Sequence, residues 1–118
     1  GFVPNVADYV KEAEVFLLAS SMENLSLAVT EAMALSKPVV CFDVGALGEV
    51  VSEETGALIP RFDVQKFAQA TLELLHDQEK RKLKGEKAKE VVKDFDWNKS
   101  ALQYLELFQE LLDRKISF

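Results

Sequence analysis

The hydrophobic positions in the first half of the chain fall into short, uninterrupted runs. These runs cover residues 15–18, 38–42 and 57–59, and stretches with helical spacing lie between them. Short runs rich in β-branched residues predict strands, and their alternation with helices is typical of an α/β fold with a parallel sheet. Because the first two runs are apolar throughout, we expect both to be central strands covered by helices on both faces.

Apolar residues in the second half recur at helical spacing and predict three helices after the last strand. Asp63 and Asn98 precede two of these patterns and are the expected N-caps, because their side chains can accept hydrogen bonds from free first-turn amides. The predicted apolar faces are formed by Val64, Phe67, Ala68, Thr71 and Leu75, then by Ala88, Val91, Val92 and Phe95, and last by Ala101, Leu105, Phe108 and Leu112.

Composition limits the classes of protein to which this chain can belong. Its 118 residues are 48% hydrophobic, which suffices for one domain with a real core. The net charge of −6 argues against a nucleic-acid partner bound through a broad basic face. The single cysteine, Cys41, lies inside an apolar run, so we interpret it as a core residue in a reducing, cytoplasmic protein.

The distribution of charge leaves one alternative open. Residues 1–60 carry 2 basic and 9 acidic side chains, so phosphate binding in this half must be local. Residues 80–93 carry seven basic side chains and two glutamates. We interpret this segment first as a solvated helix face, with peripheral contact to the inner face of a membrane as the alternative. No apolar run approaches the ~20 residues that span a bilayer.

The segment that indicates chemistry covers residues 20–34, which connect the first predicted strand to a helix. Ligands of open α/β sheets bind beyond the carboxyl ends of the strands, where this loop lies. Ser26 is the expected N-cap of a helix that ends near Leu35, so the amides of residues 25–28 lack intrahelical partners. Those amides and the helix dipole predict a seat for a diphosphate without a cluster of basic side chains.

Two glutamates, Glu23 and Glu31, lie on either side of this predicted anion seat. Taken alone, Glu31 is equally well explained as a carboxylate that stabilises the start of a helix, and Glu23 is better explained as a surface loop residue. A carboxylate can also accept two hydroxyl donors of a sugar or ribose, so the pair is a candidate binding site.

The pair and its surroundings resemble a known family. Glu23 and Glu31 are separated by seven residues and followed by residues 32–35 and 37–40, which is similar to the Glu-x7-Glu signature of group 1 retaining glycosyltransferases. Further segments match in order and spacing: Gly1-Phe2-Val3-Pro4, Ala13-Glu14-Val15-Phe16-Leu17, Asp43-Val44-Gly45, Glu49-Val50-Val51, Thr55-Gly56-Ala57-Leu58-Ile59-Pro60 and Phe95-Asp96-Trp97.

The resemblance implies the C-terminal, Rossmann-like half of a two-domain GT-B enzyme, which binds a nucleotide-diphosphate sugar. Transfer to a glycan or lipid-linked acceptor would retain the anomeric configuration and need no metal or other cofactor. Glu23 would be the catalytic-site carboxylate at the donor sugar, and Glu31 would accept hydrogen bonds from the ribose. The implied donor-binding residues are Glu23, Asn24, Leu25, Ser26, Leu27 and Glu31.

Departures from the family pattern define what else we expect. Asn24 and Ser26 stand where the family often has glycine, as does Ser36, and Gly45-Ala46 replaces a Gly-Gly pair. The family's basic residues for the diphosphate lie upstream of Gly1, with an acceptor domain and the first βα units. We therefore expect residues 1–118 to be one partial donor-binding domain, without transferase activity alone.

Two alternatives remain open at this point. The last helix, residues 98–115, resembles the family's terminal helix. Its residues Phe108, Leu111 and Leu112, with Phe118 beyond it, either leave apolar surface uncovered, which would favour self-association, or cap the domain's own core. The rival to a transferase is a non-catalytic module that keeps the architecture for partner binding.

Overall fold

The computed structural model describes residues 1–116 and forms one α/β unit. Its helices and strands follow in the order α1 (Val6–Glu12), β1 (Phe16–Leu18), α2 (Leu27–Ala34), β2 (Val39–Phe42), β3 (Gly56–Ile59), α3 (Val64–His76), α4 (Gln78–Val91) and α5 (Trp97–Ile116). Short 3-10 turns at Leu47–Glu49 and Val92–Asp94 complete the chain.

The three strands form a parallel sheet in the order β1-β2-β3. Phe16 pairs with Val39, and Val39 pairs in turn with Gly56, so the first residues of the three strands are aligned in register. Parallel neighbours need crossover connections, and α2 supplies the one between β1 and β2. The predicted Rossmann-like parallel sheet with flanking helices is confirmed.

The core is centred on β2. Val39, Val40 and Cys41 are completely buried, and Met33 of α2 and Leu74 of α3 pack into the same cluster. The prediction of a covered central strand is therefore correct for β2. It is wrong for β1, where Leu17 is 48% exposed: β1 is the edge strand of the described chain, and α3 packs on β2 and β3 rather than on β1.

Three helices follow β3 as predicted, and side-chain caps begin them. Asp63 accepts a hydrogen bond from the Lys66 amide at 3.0 Å, which confirms it as the cap of α3. Asp77, which we did not predict, does the same for α4. Asn98 is wrong as the cap of α5, because the helix begins one residue earlier and Asp96 accepts the Asn98 amide hydrogen bond instead.

The turn between α2 and β2 has a non-glycine residue in the left-handed region. Ser36 has a φ of 60°. Its amide donates to the Met33 carbonyl at 2.9 Å, and the Lys37 amide donates to the Ala32 carbonyl at 3.1 Å. These two bonds form a Schellman motif, which usually has glycine at the position of Ser36, and Pro38 then prevents the helix from continuing.

Helix α4 packs closely on this turn and on the start of β3. A Cβ atom at Gly85 would lie 2.1 Å from the Ser36 carbonyl oxygen, so only glycine fits at this crossing. The neighbouring Lys84 is buried, and its ammonium donates to the carbonyls of Glu53 and Gly56. Burial lowers the pKa of Lys84. These hydrogen bonds link α4 to the start of β3.

Helix α5 stands apart from this core. Among the described residues, none from α5 belongs to the core cluster or packs against it. Phe108, Leu111 and Leu112 are about half exposed, so they leave apolar surface uncovered and do not cap the domain's own core; Phe118 lies outside the described residues. Within residues 1–116, no helix combines the length and apolar character needed to cross a membrane.

Candidate functional site

Two loops meet at the carboxyl end of the sheet. The first follows β1 and contains Glu23 and Asn24, and the second follows β2 and contains Gly45. A Cβ atom at Gly45 would lie only 1.8 Å from the Glu23 carbonyl oxygen, so the two backbones are in direct contact. Adjacent parallel strands end at the same edge, which is why residues 22 positions apart become neighbours.

The start of α2 lies at this end of the sheet. Ser26 precedes the first helical residue, Leu27, and its side chain makes no capping hydrogen bond. The first backbone bond of the helix runs from the Thr30 amide to the Ser26 carbonyl at 3.2 Å. Helix geometry therefore leaves the amides of residues 27–29 without intrahelical partners, whereas the sequence predicted residues 25–28. Such amides and the helix dipole favour an anion.

Glu31 is exposed on α2, roughly 6 Å along the helix axis from Leu27. It lines a cavity of about 470 Å³ bounded by α1, Phe16 and α2. The other residues that line this cavity are Pro4, Asn5, Val6, Ala7, Val10, Ala28, Ala34 and Leu35. A carboxylate in a mostly apolar cavity can accept hydrogen bonds from a polar ligand that places its less polar part inside.

Glu31 also lines a second cavity, of about 340 Å³. Leu25 and Leu27, at the start of α2, line this cavity together with Phe95 and Trp97. Glu23 lines neither of these two cavities. The structure thus places Glu31 between two cavities and half-buried Glu23 at the Gly45 turn, before the open amides of α2 along the chain. Whether one ligand contacts both carboxylates stays a prediction.

The segment that forms the start of α2 carries no basic side chain of its own. Residues 19–31 contain neither lysine nor arginine. The nearest lysine in sequence, Lys37, donates from Nζ to the Lys11 carbonyl at 2.7 Å and so caps the last turn of α1. Within the described residues, no group of three histidine, cysteine, aspartate or glutamate side chains is placed to hold a metal ion. The helix dipole is the local source of positive potential.

Cys41 is confirmed as a core residue. Its side chain is completely buried in β2, and burial, with a smaller contribution from the charge of Asp43, raises the pKa of the thiol to about 12. A thiol of this pKa has almost no thiolate at neutral pH, so it is not a nucleophile here.

Two features of this end of the sheet were not predicted. One is the contact of Gly45, whose φ is +56°, with the Glu23 loop. The other is Phe62, which follows β3 with a φ of 69°, although it is 60% exposed. Its ring packs edge-on against Phe42 at 6.3 Å, and the Arg61 guanidinium lies 4.6 Å from its centre. Pro60 marks the turn in sequence, but nothing in the sequence signals the backbone strain at Phe62.

Comparisons with known proteins agree on one family. The model of the family described as "Glycosyl transferases group 1" matches residues 1–77. An uncharacterized glycosyltransferase of Methanocaldococcus jannaschii is 33% identical over 109 residues, which cover 92% of this chain and 31% of the relative. Among solved structures, sucrose-phosphate synthase from Thermosynechococcus elongatus matches 90% of this chain with a TM-score of 0.83 and 33% identity.

A more distant structure has the same fold. TarM of S. aureus, solved as a variant in complex with fondaparinux, alpha-GlcNAc-glycerol and UDP, matches 92% of this chain with a TM-score of 0.80 and 24% identity. The chain spans 31% of the M. jannaschii protein, 27% of the synthase chain and 22% of the TarM chain. It therefore corresponds to less than a third of each.

Proposed function

Because the chain belongs to the group 1 glycosyltransferases, we propose that it forms the donor-binding part of a retaining enzyme. The enzyme transfers a sugar from a nucleotide-diphosphate sugar to a glycan or a lipid-linked acceptor. The observation that carries the proposal is the place of α2. Its uncapped first turn lies between the Glu23 loop and Glu31, beyond the carboxyl end of β1. The presence of UDP in the TarM complex adds support for a nucleotide ligand.

In this proposal the diphosphate, the sugar and the ribose of the donor each contact different residues. Backbone amides of Leu25, Ser26 and Leu27 hold the diphosphate, which needs donors of hydrogen bonds and a positive potential. The same groups stabilise the charge that develops on the diphosphate as it leaves the sugar. Glu23, with Asn24 beside it, holds hydroxyls of the donor sugar near the reacting carbon. Glu31 accepts hydrogen bonds from the ribose at the rim of the α1 cavity.

The proposal has two further parts. Transfer needs no metal ion, because the amides and dipole of α2 act on the diphosphate directly. Residues 1–118 alone do not catalyse transfer, since the acceptor is held by another domain. Transfer that persists in excess EDTA would support the first part. Detectable transfer by the purified 118-residue chain would contradict the second.

The experiment is calorimetric titration of the full natural chain that carries this sequence with UDP, GDP and their sugar conjugates. We expect one base to be preferred and Glu31→Gln to weaken binding of the nucleoside diphosphate about tenfold or more, as expected for loss of a charged hydrogen-bond acceptor. Glu23→Gln should leave binding of the nucleoside diphosphate unchanged and reduce sugar transfer, because Glu23 is assigned to the sugar.

Glu54→Gln is the matched control, since Glu54 is an exposed glutamate in the turn before β3, at the opposite end of the sheet. Its binding and transfer should equal those of the unmodified protein. If no nucleotide or nucleotide sugar binds, the donor proposal fails and the non-catalytic module becomes the better interpretation. If Glu54→Gln weakens binding as much as Glu31→Gln does, the assignment of Glu31 to the ribose fails.

A further inference from the structure

The turn that follows β2 touches the candidate site at Gly45. At Gly45 an added Cβ atom would lie 1.8 Å from the carbonyl oxygen of Glu23 and 3.2 Å from that of Asn24. The φ of Gly45 is +56°, a conformation that other residues adopt only with strain. Two independent constraints, backbone conformation and contact distance, therefore require glycine here.

The two sides of this contact differ in how firmly they are held. The Gly45 turn is anchored by buried residues on both sides, since Val44 is 8% exposed and Leu47 is completely buried. The Leu47 amide also donates to the Val44 carbonyl at 3.3 Å. In the Glu23 loop, Met22 is 83% exposed and Asn24 is exposed as well. If the two backbones are forced apart, the Glu23 loop is the side that moves.

We propose that Gly45 is a positioning residue that fixes where the Glu23 carboxylate lies. The inference rests on the proposed function, because it concerns the sugar end of the donor site. Glu23 makes no side-chain hydrogen bond or ion pair that the structure records among the described residues, so its backbone is what determines its place. The Gly45 turn holds that backbone from the side of β2, and the buried Ser26 holds the loop where α2 begins.

A side chain at position 45 should therefore disturb the contacts of the donor sugar and leave those of the nucleoside diphosphate unchanged. An ordinary contact needs about 3 Å, so the Glu23 carbonyl must move by more than about 1 Å, a displacement that can reduce turnover about a hundredfold. Ser26 is 9% exposed and the first turn of α2 follows it, so the part of the diphosphate seat formed by the amides of Ser26 and Leu27 stays in place. Glu31, four residues into α2, stays as well.

The test uses the full natural chain and two substitutions at the same position. In Gly45→Ala the added Cβ atom overlaps the Glu23 carbonyl oxygen, and the positive φ of residue 45 becomes strained. Gly45→Asn keeps the contact, but asparagine tolerates positive φ better, so it separates overlap from strain and is more readily folded. For both we expect kcat for sugar transfer to fall about a hundredfold, while the Kd of the nucleoside diphosphate alone changes less than twofold.

Two other glycines provide controls. Gly48 lies in the same turn, where an added Cβ would meet the Leu58 Cδ2 atom at 3.3 Å, without positive φ. Gly48→Ala should keep kcat within twofold. Gly85→Ala creates an overlap of similar severity, 2.1 Å from the Ser36 carbonyl, but away from the site. It should lower the melting temperature at least as much as Gly45→Ala and leave kcat of the folded protein within twofold.

A double-mutant cycle with Glu23→Gln decides whether Gly45 acts through Glu23. Once the carboxylate is lost, Gly45→Asn should reduce kcat by less than about threefold, because coupled changes do not add. Full additivity overturns the proposal, as do unchanged turnover, unfolding of both Gly45 variants at the assay temperature, or equal losses from Gly85→Ala. If the unmodified protein binds no nucleotide sugar, the proposed function itself fails, which is a separate result.

Discussion

Replacing Ser36 by glycine should stabilise the fold. Ser36 is the left-handed residue of the Schellman motif that ends α2, and its φ is 60°. A residue with a Cβ atom in this conformation is destabilised by roughly 1–2 kcal/mol relative to its preferred backbone. Glycine avoids this strain, but its unfolded chain has more conformational freedom, which offsets about 0.5–1 kcal/mol of the gain. The net increase in the free energy of unfolding should be about 0.5–1 kcal/mol.

Other contributions of Ser36 to stability are small. The structure records no hydrogen bond from its hydroxyl among the described residues, and the carbonyl that faces Gly85 is unchanged by the substitution. For a chain of 118 residues, the expected rise in melting temperature is about 2–5 °C, measurable by differential scanning calorimetry or circular dichroism. The urea midpoint should rise with it while the m-value stays constant.

Two controls separate backbone conformation from other causes. Ser36→Ala removes the hydroxyl but keeps the Cβ atom, so it should not raise the melting temperature. Ala34→Gly places a glycine at the last residue of the same helix, two residues earlier, and should lower the free energy of unfolding by up to about 1 kcal/mol. A melting temperature of Ser36→Gly at or below that of the unmodified chain would refute the reasoning. Equal gains from Ser36→Ala and Ser36→Gly would do the same.

Three further predictions concern stability and reactivity. Lys84→Met should lower the free energy of unfolding, measured by urea unfolding, by about 2 kcal/mol, because two backbone carbonyls lose their hydrogen-bond donor. Substitution of the exposed neighbour, Lys82→Met, should change it by less than about 0.5 kcal/mol. Cys41 should react with a disulfide reagent only after unfolding. Because its pKa is raised to about 12, the contribution of the neutral thiol to stability is intact below about pH 9 and is lost as the pH rises towards 12. Phe62→Gly should be about 0.5–1 kcal/mol more stable than Phe62→Ala. Both variants lose the ring contact with Phe42, but only glycine relieves the positive φ, so equal melting temperatures would contradict this.

Local sequence patterns predicted the elements of the fold but not all of their surroundings. The apolar run at β2 and the cap at Asp63 were found because both depend on residues close in sequence. The exposure of Leu17 could not be predicted from its equally apolar run, since it depends on which helices pack on the two faces of β1. Similarly, α3 buries Leu74 and exposes Leu75, because the neighbouring α4 determines which part of a broad apolar face is covered.

The candidate site shows the same division. The start of α2 after Ser26 and the position of Glu31 on that helix were predictable from capping and spacing. The contact of Gly45 with Glu23 was not, because it joins two loops through the pairing of β1 with β2. The resemblance pointed to the glycine as part of a family pattern, but only the folded chain gives it a physical reason.

The open side of β1 has a practical consequence for work with this chain in isolation. In residues 1–116, β1 has a partner strand on one side only, and Leu17 and the apolar face of α5 are also exposed. Unpaired backbone groups on an edge strand can pair with the same edge of another molecule, which promotes aggregation. A purified sample should therefore become more turbid as its concentration rises, and a charged residue such as Leu17→Lys should delay this without changing the sheet.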